Sequence, residues 1–227
     1  MIYYKFVILL ISTALASCQG KTTFTIEETS ENSLRINSKT NSLSLEFKNG
    51  SISSIHAINH DSKNGNSWEY YPDGSIKNKY SYRNGTIVNS AYEYYNNGSL
   101  SVYKFFDTMG RLAYLRNYAE DGSFDSESGV LITYNEDEIM LKNDTLTLPI
   151  QMPEPPGTKI SSVIIFEDSS LNPIDSIRFE ASNFDVKIPV KEISNLLIKT
   201  QLREREVFTC NDKRFSISNL VDLCSRF

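Results

Sequence analysis

One turn recurs four times at intervals of 24 residues: Phe47-Lys48-Asn49-Gly50-Ser51, Tyr71-Pro72-Asp73-Gly74-Ser75, Tyr95-Asn96-Asn97-Gly98-Ser99 and Ala119-Glu120-Asp121-Gly122-Ser123. A fixed period of this length means that one supersecondary unit is copied along the chain and that each copy buries its apolar surface against the next. The recurring residues are aromatic, turn-forming or small, and no nucleophile, general base or metal ligand recurs with them. The period therefore constrains architecture far more than chemistry.

Aligned at 24, Trp68 falls over Tyr92, Glu69 over Glu93, Tyr70 over Tyr94, Tyr71 over Tyr95, Ile76 over Leu100 and Tyr82 over Phe106. Aromatic and β-branched side chains favour a pleated surface, and Asn-Gly or Asp-Gly supplies the positive φ of a tight hairpin. Each unit thus holds two strands and two turns of a continuing antiparallel β-meander, placed at residues 43–142. Gly74 and Gly98 are expected in the left-handed region. The second turns are less regular, since Asn84-Gly85 and Met109-Gly110 lie 25 apart and Asn64-Gly65 is off register. A bulge or longer loop would absorb that slip.

Successive strand residues point to opposite faces, so Tyr70 and Tyr94 are expected on one face and Tyr71 and Tyr95 on the other. Rings on both faces serve either cross-strand packing or recognition, because aromatics are enriched at interaction hot spots. Trp68, Tyr70, Tyr71, Tyr92, Tyr94 and Tyr95 are the candidate binding surface.

From residue 143 to 227 the composition changes. Four prolines between Leu146 and Gly157 mark a boundary or stiff edge, because proline blocks regular pairing. Strand-like runs follow at Val163–Phe166, Ile174–Phe179, Phe184–Val190 and Leu196–Phe208, and their spacing suits a small β-sandwich. The segment resembles an immunoglobulin-like module in pattern, without the cysteine-tryptophan-cysteine signature of antibody domains. The fold class expected for the whole chain is all-β.

The first residues read as an address. Lys5, the apolar run Phe6–Ile11 and Leu15-Ala16-Ser17-Cys18 form an export signal too short to span a bilayer, which needs about 20 apolar residues. The cysteine after a small-residue cleavage site resembles a bacterial lipobox, which makes Met1–Ser17 the signal peptide and Cys18 the lipidated first residue. Removing it would leave 210 of 227 residues and a net charge of −6 instead of −5, since Lys5 is the only charge lost. Polar residues 18–42 are expected to be a tether. Gln19 after the cysteine resembles a sorting signal for the outer membrane, facing the periplasm, with surface display left open. Net acidity without a basic cluster argues against nucleic acid and against electrostatic docking on anionic lipid. Membrane contact would run through the lipid anchor alone. In an exported chain Cys210 and Cys224 are a candidate disulfide.

The segments Glu69-Tyr70-Tyr71-Pro72-Asp73-Gly74-Ser75-Ile76 and Tyr92–Leu100 resemble the MORN-variant repeats of bacterial proteins labelled antitoxin-like. Phe106-Asp107-Thr108-Met109-Gly110-Arg111-Leu112 is similar to the Tyr-Asp repeats of large secreted polymorphic toxins. Both resemblances imply a twisted antiparallel meander, and neither implies an enzyme. His56 and His60, four apart, would stand about 13 Å apart on a strand and could not share an ion. Glu120, Asp121, Asp125 and Glu127 lack the oxygen ladder of a calcium loop. The expectation is a non-enzymatic envelope lipoprotein, with no metal or cofactor, whose repeat sheet contacts an envelope protein or glycan. The alternatives are an immunity or antitoxin-like protein that caps a toxin and, more remotely, an envelope hydrolase with an unrecognised site.

Overall fold

The computed structural model describes residues 25–38, 41–204 and 207–224, and it is all-β but for one 3-10 turn and one helix. Eleven strands form one antiparallel sheet: β1 (Thr25–Ser30), β2 (Ser33–Asn37), β3 (Ser42–Lys48), β4 (Ser51–Asn59), β5 (Ser62–Tyr70), β6 (Ile76–Arg83), β7 (Thr86–Ile87), β8 (Asn89–Tyr94), β9 (Leu100–Phe106), β10 (Leu112–Tyr118) and β11 (Phe124–Gly129). Strand order in the sheet follows chain order, with the short β7 paired to β6 off the main path. This is the meander that the 24-residue period predicts.

Two kinds of turn build it. At Asn49-Gly50, His60-Asp61 and Asn84-Gly85 both residues have positive φ (52° and 80°, 45° and 60°, 49° and 83°), as a two-residue type I′ hairpin requires. The second kind has three residues and a glycine in the left-handed region. The Gly74 N–H donates to the Tyr71 carbonyl and the Tyr71 N–H to the Ser75 carbonyl, both at 2.9 Å. Gly98 repeats this with Tyr95 and Ser99, and Gly110 with Asp107 and Arg111. Gly74 and Gly98 have φ of 86° and 83°, as expected. The recurring Asp or Asn and Ser also gain a reason: Oδ1 of Asp73 accepts from the N–H and hydroxyl of Ser75, and Asn97 does the same for Ser99. The irregular Met109-Gly110 is thus geometrically one of the main turns, whereas Asn49-Gly50, in register by sequence, is the shorter kind. Strand continuity breaks between β7 and β8, where Asn89 has φ 60°, and this absorbs part of the slip.

Residues 25–37 correct the tether. β1 and β2 pair with each other and β2 pairs with β3, so the polar segment is the first hairpin of the sheet. Its isolated apolar residues suffice because they point one way: Leu34 and Ile36 join Leu45 in a buried cluster against Ile26, Phe47, Ile52 and Ile55. Cys18 and the signal segment lie outside the described residues.

The chain divides into two compact units at positions other than 142/143. Among the described residues one comprises those up to 87, with 91–101 and 120–123, and the other 88–90, 102–119 and those from 124 on. The second contains the sandwich. Strands β12 (Met140–Lys142), β13 (Thr145–Gln151) and β16 (Asn183–Pro189) form one sheet in the order β12-β13-β16. β14 (Lys159–Glu167), β15 (Pro173–Phe179), β17 (Asn195–Glu204) and β18 (Val207–Ser216) form the other as β15-β14-β17-β18. Strict alternation buries Leu146, Leu148 and Ile150 from one sheet, with Met152 just past it, and Ile160, Ile164, Phe166, Leu196, Ile198 and Leu202 from the other. The rings of Phe179 and Phe184 stack across the sheets at 4.1 Å, and the Ser162 hydroxyl reaches the Met152 sulfur at 3.3 Å. The strand order matches that of immunoglobulin-like sandwiches except that the fourth strand, β15, lies beside the third instead of joining the first sheet.

Two expectations fail here. The proline-rich stretch opens with a fully paired strand: Pro149 sits opposite Asp185 on β16, and it is tolerated because β12 ends opposite Thr147 and leaves that edge free of a ladder partner. Cys210 and Cys224 are free thiols. Cys210 lies on β18 about 20 Å of strand from its end, and helix α1 (Ile217–Cys224) returns at most about 11 Å, which leaves the pair beyond the about 7 Å a bridge allows. Among the described residues no helix is long and apolar enough to cross a membrane.

Candidate functional site

Trp68, Tyr70, Tyr71, Tyr92, Tyr94 and Tyr95 are all half-buried, so each ring is partly packed and partly presented. Cross-strand register sets Ile55, Trp68, Lys79 and Tyr92 in one row across β4, β5, β6 and β8. Trp68 and Tyr92 therefore share a face two strands apart, roughly 10 Å, with Lys79 between them. The Lys79 ammonium lies 5.5 Å from the centre of the Tyr92 ring, and Lys63 stands 5.3 Å from that of Tyr82. Lysine stems and charges thus cover rings that the repeat alone would leave bare. Burial pushes the Tyr70 and Tyr94 phenols up, which keeps them as neutral hydrogen-bonding groups.

Tyr70 and Tyr71 do not part to opposite sides as strict alternation predicts. β5 ends at Tyr70 after a register shift between Glu69 and Tyr70, and Tyr71 already belongs to the turn. Both residues line one cleft of about 380 Å³ between the β3–β4 and β5–β6 hairpins. Pro72 and Ile52 complete its apolar wall; Asn49, Ser51 and Ser53 supply neutral polar groups; Lys48 and Lys77 supply charge. The Tyr71 hydroxyl donates to the Tyr94 carbonyl at 2.7 Å, and the Lys77 ammonium lies 5.9 Å from the Tyr71 ring centre. The ring is held from both ends.

The opposite face of the same strands is polar. Ser44, His56, Ser67 and Tyr80 form one row, and Glu46, Ser54, Glu69, Asn78 and Glu93 form the next. Ser54 donates to Glu46 at 2.9 Å and Asn78 to Glu69 at 2.7 Å. His56 and Ser67 are buried, and among the described residues neither His56 Nδ1 nor Ser67 Oγ has a hydrogen-bond partner. Burial lowers the His56 pKa and Lys63 lowers it further, against Glu46 and Glu69, so the ring is neutral at pH 7. Burial, with Glu69, Glu93 and Tyr82, pushes Tyr80 up to about 12. His60 sits in its turn, away from this row, and no three His, Cys, Asp or Glu side chains among the described residues gather as a metal site.

Sequence reasoning missed one further cluster, within the second unit. Arg116 on β10 is buried and pairs with Glu127 at 3.2 Å and with Glu204. The hydroxyls of Tyr114 and Thr209 also donate to Glu127, and the guanidinium lies 4.5 Å from the Phe124 ring centre. The signal available was an arginine at an inward position of the alternation Tyr114, Arg116, Tyr118. This cluster fastens β10 and β11 to β17 and β18 from inside.

No family model matches the sequence. No curated protein matches it either. Among solved structures the chain is similar to accessory secretory protein 1, 2 and 3 of Streptococcus pneumoniae, with 15% identity and a TM-score of 0.25 over 65% of this chain and 25% of that one. It is also similar to TarM, with 11% identity and a TM-score of 0.22 over 53% of this chain and 23% of that one. The chain spans about a quarter of the length of either. Likeness at this level carries no functional information, so function rests on the residues of the cleft and sheet.

Proposed function

We propose that this chain is a non-enzymatic lipoprotein of the bacterial cell envelope whose repeat sheet is an interaction scaffold for a glycan or a protein. Cys18 carries the lipid and anchors it at the outer membrane, facing the periplasm. The observation that supports the scaffold reading is the cleft between the first two repeat turns, where two tyrosines, a proline and two lysines converge on a surface that repeat packing alone does not require. The anchor reading is supported by the residues Phe6–Cys18.

The two halves have separate tests. Cys18→Ser is expected to accumulate as unprocessed precursor and to incorporate no labelled palmitate; normal maturation and membrane recovery would remove the anchor. For the scaffold, the lipidated chain is cross-linked in intact cells as wild type and as Tyr70→Ala/Tyr71→Ala. A discrete adduct that the variant loses, while its circular dichroism stays native, is expected. An unchanged adduct pattern would remove this surface from the function.

A further inference from the structure

We infer that the cleft between the first two repeat turns binds an acidic sugar unit of a glycan, a pyranose that carries a carboxylate. The inference rests on the scaffold reading and narrows it. The chain is acidic overall, with a net charge of −5, yet the residues that line this cleft include two lysines and no aspartate or glutamate. Neither Lys48 nor Lys77 has a carboxylate within ion-pair distance among the described residues. Locally unpaired positive charge on an acidic protein selects an anion and rejects the protein's own surface.

The repeat does not demand these lysines. One period on from Lys48 stands Pro72, and one period on from Lys77 stands Ser101, so neither lysine recurs in the next copy. Their presence in the first groove alone is a property of that groove and not of the fold. The remaining lining fits a sugar. Tyr71, its hydroxyl tied to Tyr94, and Tyr70 offer ring surface to the C–H face of a pyranose, and Asn49, Ser51 and Ser53 offer neutral partners to its hydroxyls. Because Tyr71 is already held, little ordering is left to oppose binding. A cleft of about 380 Å³ suits one small unit, whereas a stable protein partner needs roughly 800 Å² of surface on each side.

The test is calorimetric titration of the lipidated full-length chain in detergent with three probes: trigalacturonate, the neutral maltotriose and inorganic phosphate. Trigalacturonate is expected to bind, to weaken as salt rises from 50 to 500 mM, and to lose about tenfold or more in Lys48→Gln/Lys77→Gln. Lys187→Gln, an exposed change on the sandwich, should leave it unaltered. Equal binding of maltotriose with no effect of the lysines would overturn the acidic-sugar assignment and leave the scaffold standing. Phosphate binding as tight as trigalacturonate would show that the cleft reads charge and not a sugar, which also overturns it. No binding of any probe, with a protein adduct at Tyr70 and Tyr71 in the cross-linking experiment, would assign the cleft to a protein. Neither saccharide binding nor adduct would end both readings.

Discussion

The Tyr71 hydroxyl donates to the carbonyl oxygen of Tyr94 across 2.7 Å, which ties the turn of one repeat to the strand of the next, 23 residues on. A side-chain bond to a backbone acceptor of this kind contributes about 0.5–1.5 kcal/mol net. Tyr71→Phe keeps the ring in the cleft and removes only that bond, so its unfolding free energy from a urea titration should fall by an amount in this range. A variant as stable as wild type would mean that neighbouring turns are held by strand pairing alone.

The glycines separate two sources of cost. Gly74 and Gly98 have open space where a Cβ would stand, so alanine there meets only the positive-φ penalty of about 1 kcal/mol. Gly129, at φ 107°, would drive its Cβ into the Ala113 carbonyl and to 2.8 Å from the Tyr114 Cα, all backbone that cannot swing aside. Gly129→Ala should therefore be clearly worse than Gly74→Ala or Gly98→Ala. Ser75→Ala and Ser99→Ala should be milder than either glycine change, since the serine N–H keeps its bond to Asp73 or Asn97. Equal melting temperatures across this series would refute the left-handed role of the repeat turns.

What was legible in the chain was whatever local chemistry fixes. Asn-Gly and Asp-Gly recurring at a fixed period state a turn, and Phe184, Val186 and Ile188 state a strand by alternation. What was not legible depends on distant partners. Nothing near Leu34 and Ile36 reveals that Leu45 will cover them, so a polar segment read as a tether although it pairs on both sides. His60-Asp61 was hidden because it lacks the glycine that marks the other tight turns, and the more obvious Asn64-Gly65 fell inside β5. Helix α1 carries Ile217 and Leu220 at helical spacing, buried in the structure, but eight residues at the end of a strand-rich run are too few for the period to stand out. The aromatic surface was readable by residue type. Its concentration into one cleft was not, because that depends on a register shift at Glu69 and Tyr70 which only the paired strands reveal.

Acid should loosen the repeat sheet through His56. Its pKa is below the ordinary 6.5, first because of burial and then because of Lys63, so on lowering pH the unfolded chain takes up the proton before the folded one. The stabilisation is complete above about pH 6.5 and is lost as pH falls through the lower, folded value. Thermal melts between pH 7.5 and 5 should show a steeper loss for wild type than for His56→Gln, which cannot titrate. Parallel curves would assign the acid sensitivity to carboxylates elsewhere.

Arg116 should be the most costly single charge to remove. Its side chain is 3% exposed, and it stands between Glu127 and Glu204, which are 17% and 24% exposed. Truncating one partner of a buried pair leaves the other charge without compensation, and here two carboxylates would be left facing each other, a loss of about 3–5 kcal/mol. Arg116→Met preserves much of the apolar stem against Phe124, so its cost in a urea titration reports the charge and not a cavity. If uncompensated charge is the cause, Arg116→Met/Glu127→Gln/Glu204→Gln should recover a large part of the loss, because the glutamines are neutral while Tyr114 and Thr209 keep an acceptor at position 127. A triple variant no more stable than Arg116→Met would show that the guanidinium acts through its fixed hydrogen bonds across β10, β11 and β17, and that net charge in the cluster is immaterial.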